Sequence, residues 1–400
     1  MACKENRHSA KKETAIKMQE KHIVYTGADL LFCDRAGLDG DIRNILDGGR
    51  LGLLTAASGT DKRGMPTYLR LAAEGRLSVL FAPEHGIHSA LQDGAWGGEY
   101  TDPDTGVPVY DLPAKGNPKI GEALERCDAV LYDIQDVGAR FYTYIYCLAY
   151  LMHECAARHK PVIILDRPDP IGGTAVEGAM LDEARFSSFV GRYAMPARYA
   201  MTCGEFALWL NATHNVGCEV HVVRCRGWSR DMYADETDLA WINPSPNLPS
   251  VTASLIYIGT CLIEATNVSE GRGTTRPFEL VGAPWCNATD LAARLNAARL
   301  GGVYFSPAYF TPVFGKHAGT ACRGVQINVT DRRAFRPHLA GLHLLAAMQE
   351  YPECETRENG LCLRYGTDAL LGGFDPAAVA ASELDGTKKF FAECGPYRLY

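Results

Sequence analysis

The 400-residue chain has no apolar run of about 18 or more residues, the length a helix needs to span a bilayer. No basic run occurs outside the first 21 residues, and 40 basic against 47 acidic side chains leave a formal net charge of −7. Phosphate backbones require a concentrated basic face, so nucleic acid is not an expected partner. The N-terminus, Met-Ala-Cys-Lys-Glu-Asn-Arg-His, lacks the apolar h-region of a secretory signal. The 14 cysteines form no Cys-x-x-Cys pair and no framework spacing, which points to free thiols in a reducing compartment. Sequons at Asn211, Asn267, Asn287 and Asn328 carry no weight without a secretion route. There is no Gly-x-Ser-x-Gly elbow and no Walker A spacing, and Gly48-Gly49-x-x-Gly52 precedes a strand-like run where a dinucleotide fingerprint should follow one. These absences describe a soluble, cytoplasmic chain with no membrane or nucleic-acid partner and no expected cofactor.

What is present is ordinary for a globular protein: 47% apolar and 22% charged residues, over a length sufficient for two domains. A charged segment, 1–22, reads as a flexible lead-in. Strand-like runs at 51–55, 77–82, 129–134, 162–166 and 220–224 alternate with helical patterns near 29–46, 65–75, 119–126, 140–159 and 203–213. Strand, helix, strand with short connections implies right-handed βαβ units and a mostly parallel sheet. One long connection, from Gly86 to about Lys119, interrupts the rhythm, and loops of that length are usually functional. A Pro-rich run at 243–249 marks a boundary between domains at 23–245 and 246–400. The second is expected to be a smaller mixed α/β unit, loop-rich at 264–286, with strands near 303–314 and 323–330 and helices near 333–349 and 375–393.

Chemistry-bearing residues gather at the carboxyl ends of the expected strands. The run 77–82 ends in Pro-Glu-His-Gly (83–86), where Pro83 cannot continue a ladder and Gly86 permits a tight turn. Glu84 and His85 thus stand in the usual ligand crevice of an open α/β sheet, where a half-buried carboxyl can serve as a proton donor. A helix-capping or arginine-paired Glu84 is the plainer alternative. The next strand end offers Asp133, Asp136, Arg140 and Tyr142, with a structural role open for Asp133 and Asp136; the one after offers Asp166, Arg167 and Asp169. A second cluster, at 263–279, places Glu264, Asn267, Glu270, Arg272 and Arg276 around Gly271 and Gly273, either as a ligand loop or as a turn knitted by arginine–carboxylate pairs. His85 and His88, beside Glu84 and Asp93, could contribute to a metal site, although no third-ligand pattern accompanies them. Aromatic residues near these clusters, among them Trp96, Tyr100, Phe141, Tyr142, Tyr144, Tyr146 and Trp285, suit sugar rings, so paired carboxylates and aromatics together suggest glycoside chemistry.

Four long stretches occur together: Phe-Ala-Pro-Glu-His-Gly-Ile (81–87), Asp-Ile-Gln-Asp-Val-Gly-Ala-Arg-Phe-Tyr-Thr-Tyr (133–144), Leu-Asp-Arg-Pro-Asp-Pro-Ile-Gly-Gly (165–173) and Thr-Asn-Val-Ser-Glu-Gly-Arg-Gly-Thr-Thr-Arg-Pro-Phe (266–278). With Ser-Ser-Phe-Val-Gly (187–191), Pro-Ser-Pro-Asn-Leu-Pro (244–249) and Pro-Tyr-Arg-Leu-Tyr (396–400), they resemble the exo-β-N-acetylmuramidases of the NamZ type from about residue 23 to the C-terminus. The resemblance implies a Rossmann-like domain, a smaller C-terminal domain and an active site in the cleft between them. It also implies release of N-acetylmuramic acid from non-reducing ends of peptidoglycan fragments, a small saccharide partner. Glu84 is then the expected catalytic acid, with Glu264, Glu270 or Asp136 as base or nucleophile. Expected substrate contacts are His85, Arg140, Tyr142, Asn267, Arg272, Thr274, Asp166 and Arg167, with Arg272 or Arg140 on the lactyl carboxylate. The chain departs from the family at Thr-Ala-Ala-Ser-Gly (55–59), where Ala56 replaces the usual asparagine. That departure motivates a competing expectation of a non-catalytic saccharide-binding protein; a metal-dependent hydrolase using His85 and His88 is a third.

Overall fold

The computed structural model of the chain describes residues 21–92, 97–113 and 116–400. Most of the expected lead-in, together with Asp93 and Trp96, lies outside the described residues. Seven strands form the larger sheet: β1 (Leu51–Thr55), β2 (Leu77–Ala82), β3 (Tyr100–Thr101), β4 (Pro108–Asp111), β5 (Ala129–Asp133), β6 (Val162–Leu165) and β7 (Val220–Val223). Their order is β3-β4-β2-β1-β5-β6-β7, and every pair is parallel except β3 with β4.

Alternation along each strand sends neighbours to opposite faces. Leu54, Val79, Phe81, Val130 and Tyr132 join one core cluster, while Leu53, Leu80, Leu131 and Ile163 join another. Both faces are therefore covered, which is why these strands read as continuous apolar runs. From β1 the chain steps outward through β2 to β4, then returns to the other flank of β1 as β5. The loops leaving β1 and β5 part at this point, and open α/β sheets bind ligands at such carboxyl ends.

Helix α1 (Tyr144–Ala156) packs beneath the sheet, and α2 (Cys203–Thr213) starts at a capping box made by Thr202 and Glu205. Beyond the 243–249 run comes α3 (Val251–Thr260), which crosses α4 (Pro337–Gln349) so closely that a Cβ on Gly341 would lie 2.4 Å from the Gly259 Cα. The helix α5 (Glu358–Tyr365) follows, and β8 (Leu280–Ala283), β10 (Cys322–Val329) and β9 (Val303–Phe310) form an antiparallel three-stranded sheet in that order.

Several expectations need correction. The long connection contains β3 and β4, too short to show a pattern, and they extend the sheet's edge. The 29–46 helix is two, Gly27–Cys33 and Gly40–Gly48, separated around Gly37. The 375–393 helix is likewise broken, into Pro376–Ser382 and Leu384–Glu393. The 264–286 segment includes β8, and α3, α5 and the helix Ala288–Ala297 add to the second unit. No helix of the described residues is long and apolar enough to cross a membrane.

Candidate active site

The turn after β2 is built on two left-handed residues in succession, His85 (φ 73°) and Gly86 (φ 78°). A histidine held there is unusual and needs surrounding structure to fix it. The amide of Gly86 donates to the Pro83 carbonyl at 3.1 Å, and that of Leu91 donates to the His85 carbonyl at 3.3 Å. The His85 ring closes the loop with Nδ1 lying 2.7 Å from the Leu91 carbonyl oxygen. A carbonyl can only accept, so Nδ1 carries a proton. Two hydroxyls, Ser89 Oγ and Tyr144 Oη, donate to the Pro244 carbonyl at 3.0 Å each and bind this turn to the boundary segment. Glu84 is half-buried, and its Oε2 accepts from the Thr143 hydroxyl at 3.0 Å.

Across the cleft, Glu264 lies in a short turn after α3. Its carboxylate takes Arg272 Nη1 at 2.6 Å, and Arg364 Nη2 and Nε at 2.9 and 3.0 Å. Burial acts to raise this carboxyl, but Arg272 and Arg364 together outweigh it and hold the group below the usual range, so it is ionised near neutrality. Glu270 is paired with Lys316 at 2.9 Å and with Arg272 at 3.3 Å. Burial pulls the Lys316 ammonium down, with Glu270 opposing. Gly271 and Gly273 both have φ near +80°, and a Cβ on Gly273 would stand 2.4 Å from the Phe314 carbonyl oxygen. That crowding is why the loop carrying Arg272 needs glycines.

These two walls enclose a cavity of about 110 Å³ lined by Glu84, His85, Tyr142, Thr143, Asn247, Glu264, Arg272 and Arg364, with Phe141, Phe189, Tyr257 and Phe278 as aromatic surfaces. Phe141 meets Tyr257 edge-on at 5.0 Å, Tyr257 meets Phe278 at 4.6 Å, and the Arg272 guanidinium lies 5.0 Å over the Phe278 ring. A wider cavity of about 300 Å³ adjoins through the shared Glu264, Arg272 and Arg364, and adds Glu270, Lys316 and Arg357. The arrangement presents one half-buried carboxyl bonded to a hydroxyl, one fixed negative charge, several cations and apolar ring faces.

The expected site residues separate sharply. Glu84, His85, Tyr142, Glu264 and Arg272 share the smaller cavity, and Glu270 lines the adjoining one. Arg140 does not reach either: it is fully buried, and its two terminal nitrogens donate to the carbonyls of Ala179, Met195, Arg364 and Tyr365, each at 2.7 Å. Asp136 is buried against the Gly138 amide and the Tyr199 hydroxyl. Asp166 accepts from Thr202, the Gly204 amide and Tyr400, anchoring the start of α2 and the chain end. Arg167 binds Asp133 at 2.6 Å at the divergence of β1 and β5, facing a separate cavity of about 200 Å³ with Ser58 and Gln135. The Asn267 side chain bridges the Glu353 carbonyl and the Glu355 amide, and the Thr274 hydroxyl donates to the Gly271 carbonyl. These six side chains are occupied in holding backbone or partner, not in lining the cleft. His88 turns away from His85 to face Asp102 at 3.6 Å, so the two imidazoles do not converge. Ala56 is buried and is not among the residues lining the Glu84 cavity. Sequence reading missed Thr143, Arg364 and Lys316; Thr143 stood within a quoted motif, whereas Arg364 carried no local signal.

Buried carboxyls below the site set a pH dependence. Burial, opposed by Arg198 and reinforced by Asp136, pushes Asp169 up to about 8. A carboxyl with a folded-state value above its unfolded one binds its proton more tightly in the fold. Stability is therefore full below the unfolded value of 3.8 and declines as pH rises toward about 8. The urea midpoint is expected to fall between pH 6 and pH 8, and Asp169→Asn to flatten that decline; an unchanged slope in the variant would contradict the assignment.

A carboxyl-bearing, aromatic-walled cleft between a parallel-sheet domain and a smaller mixed unit defines a two-domain α/β protein of carbohydrate-processing type. The chain belongs to the exo-β-N-acetylmuramidase NamZ family, a family of glycosidases: its N-terminal profile matches residues 51–252 and its C-terminal profile residues 255–400. The chain is 42% identical over 348 residues to the peptidoglycan β-N-acetylmuramidase NamZ of Bacillus subtilis (strain 168), covering 86% of this chain and 82% of the relative. Among solved structures, one DUF1343 family protein of Bacteroides fragilis NCTC 9343 (BF0371) superposes with a TM-score of 0.86 at 29% identity, covering 95% of this chain and 100% of that one. A second from the same strain (BF0379) gives 0.72 at 28% identity, over 94% and 99%.

Proposed function

We propose that the chain removes N-acetylmuramic acid from the non-reducing ends of peptidoglycan-derived saccharides. The observation that carries this reading is the pairing of Glu84, bonded to Thr143, with an arginine-held Glu264 in one aromatic-walled cavity. Glu84 protonates the glycosidic oxygen as the leaving sugar departs, and Glu264 supplies the second carboxylate. Arg272, which lines the same cavity, is the residue that would contact the lactyl carboxylate. Such a contact would compete with its bond to Glu264 Oε1 and release that oxygen toward a water. His85 fixes the turn that aims Glu84.

The reaction is placed in the cytoplasm on imported wall fragments, a reading supported by free cysteines throughout the described residues; recovery of the activity solely from the extracellular fraction would overturn it. A chromogenic β-N-acetylmuramide tests the function itself: turnover is expected, and its absence under all conditions would favour a saccharide-binding role. Because His85 and His88 face different partners, exhaustive chelation is expected to leave the rate unchanged. Loss of activity on chelation, restored by a divalent cation, would reinstate metal-dependent hydrolysis.

A further inference from the structure

The loop after β9 exposes two consecutive apolar side chains, the second of which lines the wider cavity. Val313 is 81% exposed, and Phe314, which lines that cavity, is 39% exposed. The loop is firmly held. The Val313 amide donates to the Gly273 carbonyl at 2.8 Å, tying it to the loop that carries Arg272. The Lys316 ammonium donates to the carbonyls of Ile263 and Val268 at 3.0 and 2.9 Å. A pinned backbone presenting apolar groups to solvent beside a polar cavity is a surface with something to cover it.

We propose that this rim receives the part of the glycan on the reducing side of the cleaved bond, an inference that rests on the function proposed above. The smaller cavity, closed in by rings from both domains, accepts the terminal sugar. The wider one leads outward and combines hydrogen-bonding groups on Gln92, Lys316 and Arg357 with the Phe314 ring. Pyranose rings are bound by that combination: hydroxyls to polar groups, C–H faces to an aromatic plane. The sugar next to the cleaved bond occupies the wider cavity, and the following one lies across Phe314 and Val313. The rim thereby favours oligosaccharides over a single glycoside.

Steady-state kinetics on the full chain and on Phe314→Ser and Val313→Ser test this, with a chromogenic β-N-acetylmuramide and a hexasaccharide ending in N-acetylmuramic acid as paired substrates. The ratio of kcat/KM for the hexasaccharide to that for the chromogenic glycoside is expected to fall at least fivefold in Phe314→Ser, through KM, with a smaller fall in Val313→Ser. An unchanged ratio in both variants would overturn the rim subsite while leaving the function intact. Should the wild type turn over neither substrate, the function reading fails, and calorimetry with the hexasaccharide reads the rim alone. Weaker binding by Phe314→Ser then supports it, and equal binding overturns it.

Discussion

Glu84→Gln is expected to lower turnover of a β-N-acetylmuramide by roughly 10² to 10⁴, the usual contribution of a positioned general acid. The amide keeps the size of the side chain and can still receive the Thr143 hydroxyl bond on its oxygen. What it loses is the transferable proton. The fall should therefore appear in kcat, with KM nearly unchanged, and thermal unfolding should match wild type because the side chain is only half-buried and the amide preserves its size. The loss should be smaller for a substrate whose leaving group needs no protonation, such as an aryl glycoside of a strongly acidic phenol. Equal losses on good and poor leaving groups would assign Glu84 another task, and full activity in the variant would remove it from the chemistry.

Arg140→Leu is expected to be the most damaging structural change. Leucine fills part of the space but strands four carbonyls, those of Ala179, Met195, Arg364 and Tyr365, in a fully buried setting. At about 1–3 kcal/mol for each buried group left unsatisfied, the loss is at least about 4 kcal/mol, a large share of the stability of an ordinary domain. Two of those carbonyls belong to the end of α5, the helix that delivers Arg364 to Glu264. Folded variant should therefore also lose activity through a misplaced Arg364. Chemical denaturation measures the first effect and specific activity of the folded fraction the second. A variant of wild-type stability with KM raised tenfold for anionic sugars would return Arg140 to the substrate.

The parallel sheet was legible because its strands are buried on both faces and read as unbroken aliphatic runs, as in β1, β2 and β6. Helix α2 matches its expected bounds, Cys203–Thr213, and its reciprocal Thr202 and Glu205 cap explains the sharp start. Helix α3 escaped notice for a physical reason: Val-Thr-Ala-Ser-Leu-Ile-Tyr-Ile-Gly-Thr is buried at every position except Thr252, so no amphipathic period exists to detect. The Glu84 turn announced itself through Pro83 and Gly86. Its opposite wall was legible only in part: Glu264 and Arg272 stood in the 263–279 cluster, but Arg364, which completes Glu264, lies 100 residues away. Arg140 and Asp166 show the converse. A charged side chain at a strand end looks the same in sequence whether it binds a substrate or the backbone, and only its burial tells the two apart.

The most direct test of the central claim is product analysis with a tetrasaccharide carrying N-acetylmuramic acid at its non-reducing end. Free N-acetylmuramic acid and a trisaccharide, formed by wild type and lost in Glu84→Gln, are the predicted result. Disaccharide products, or an intact tetrasaccharide after prolonged incubation with wild type, would contradict it.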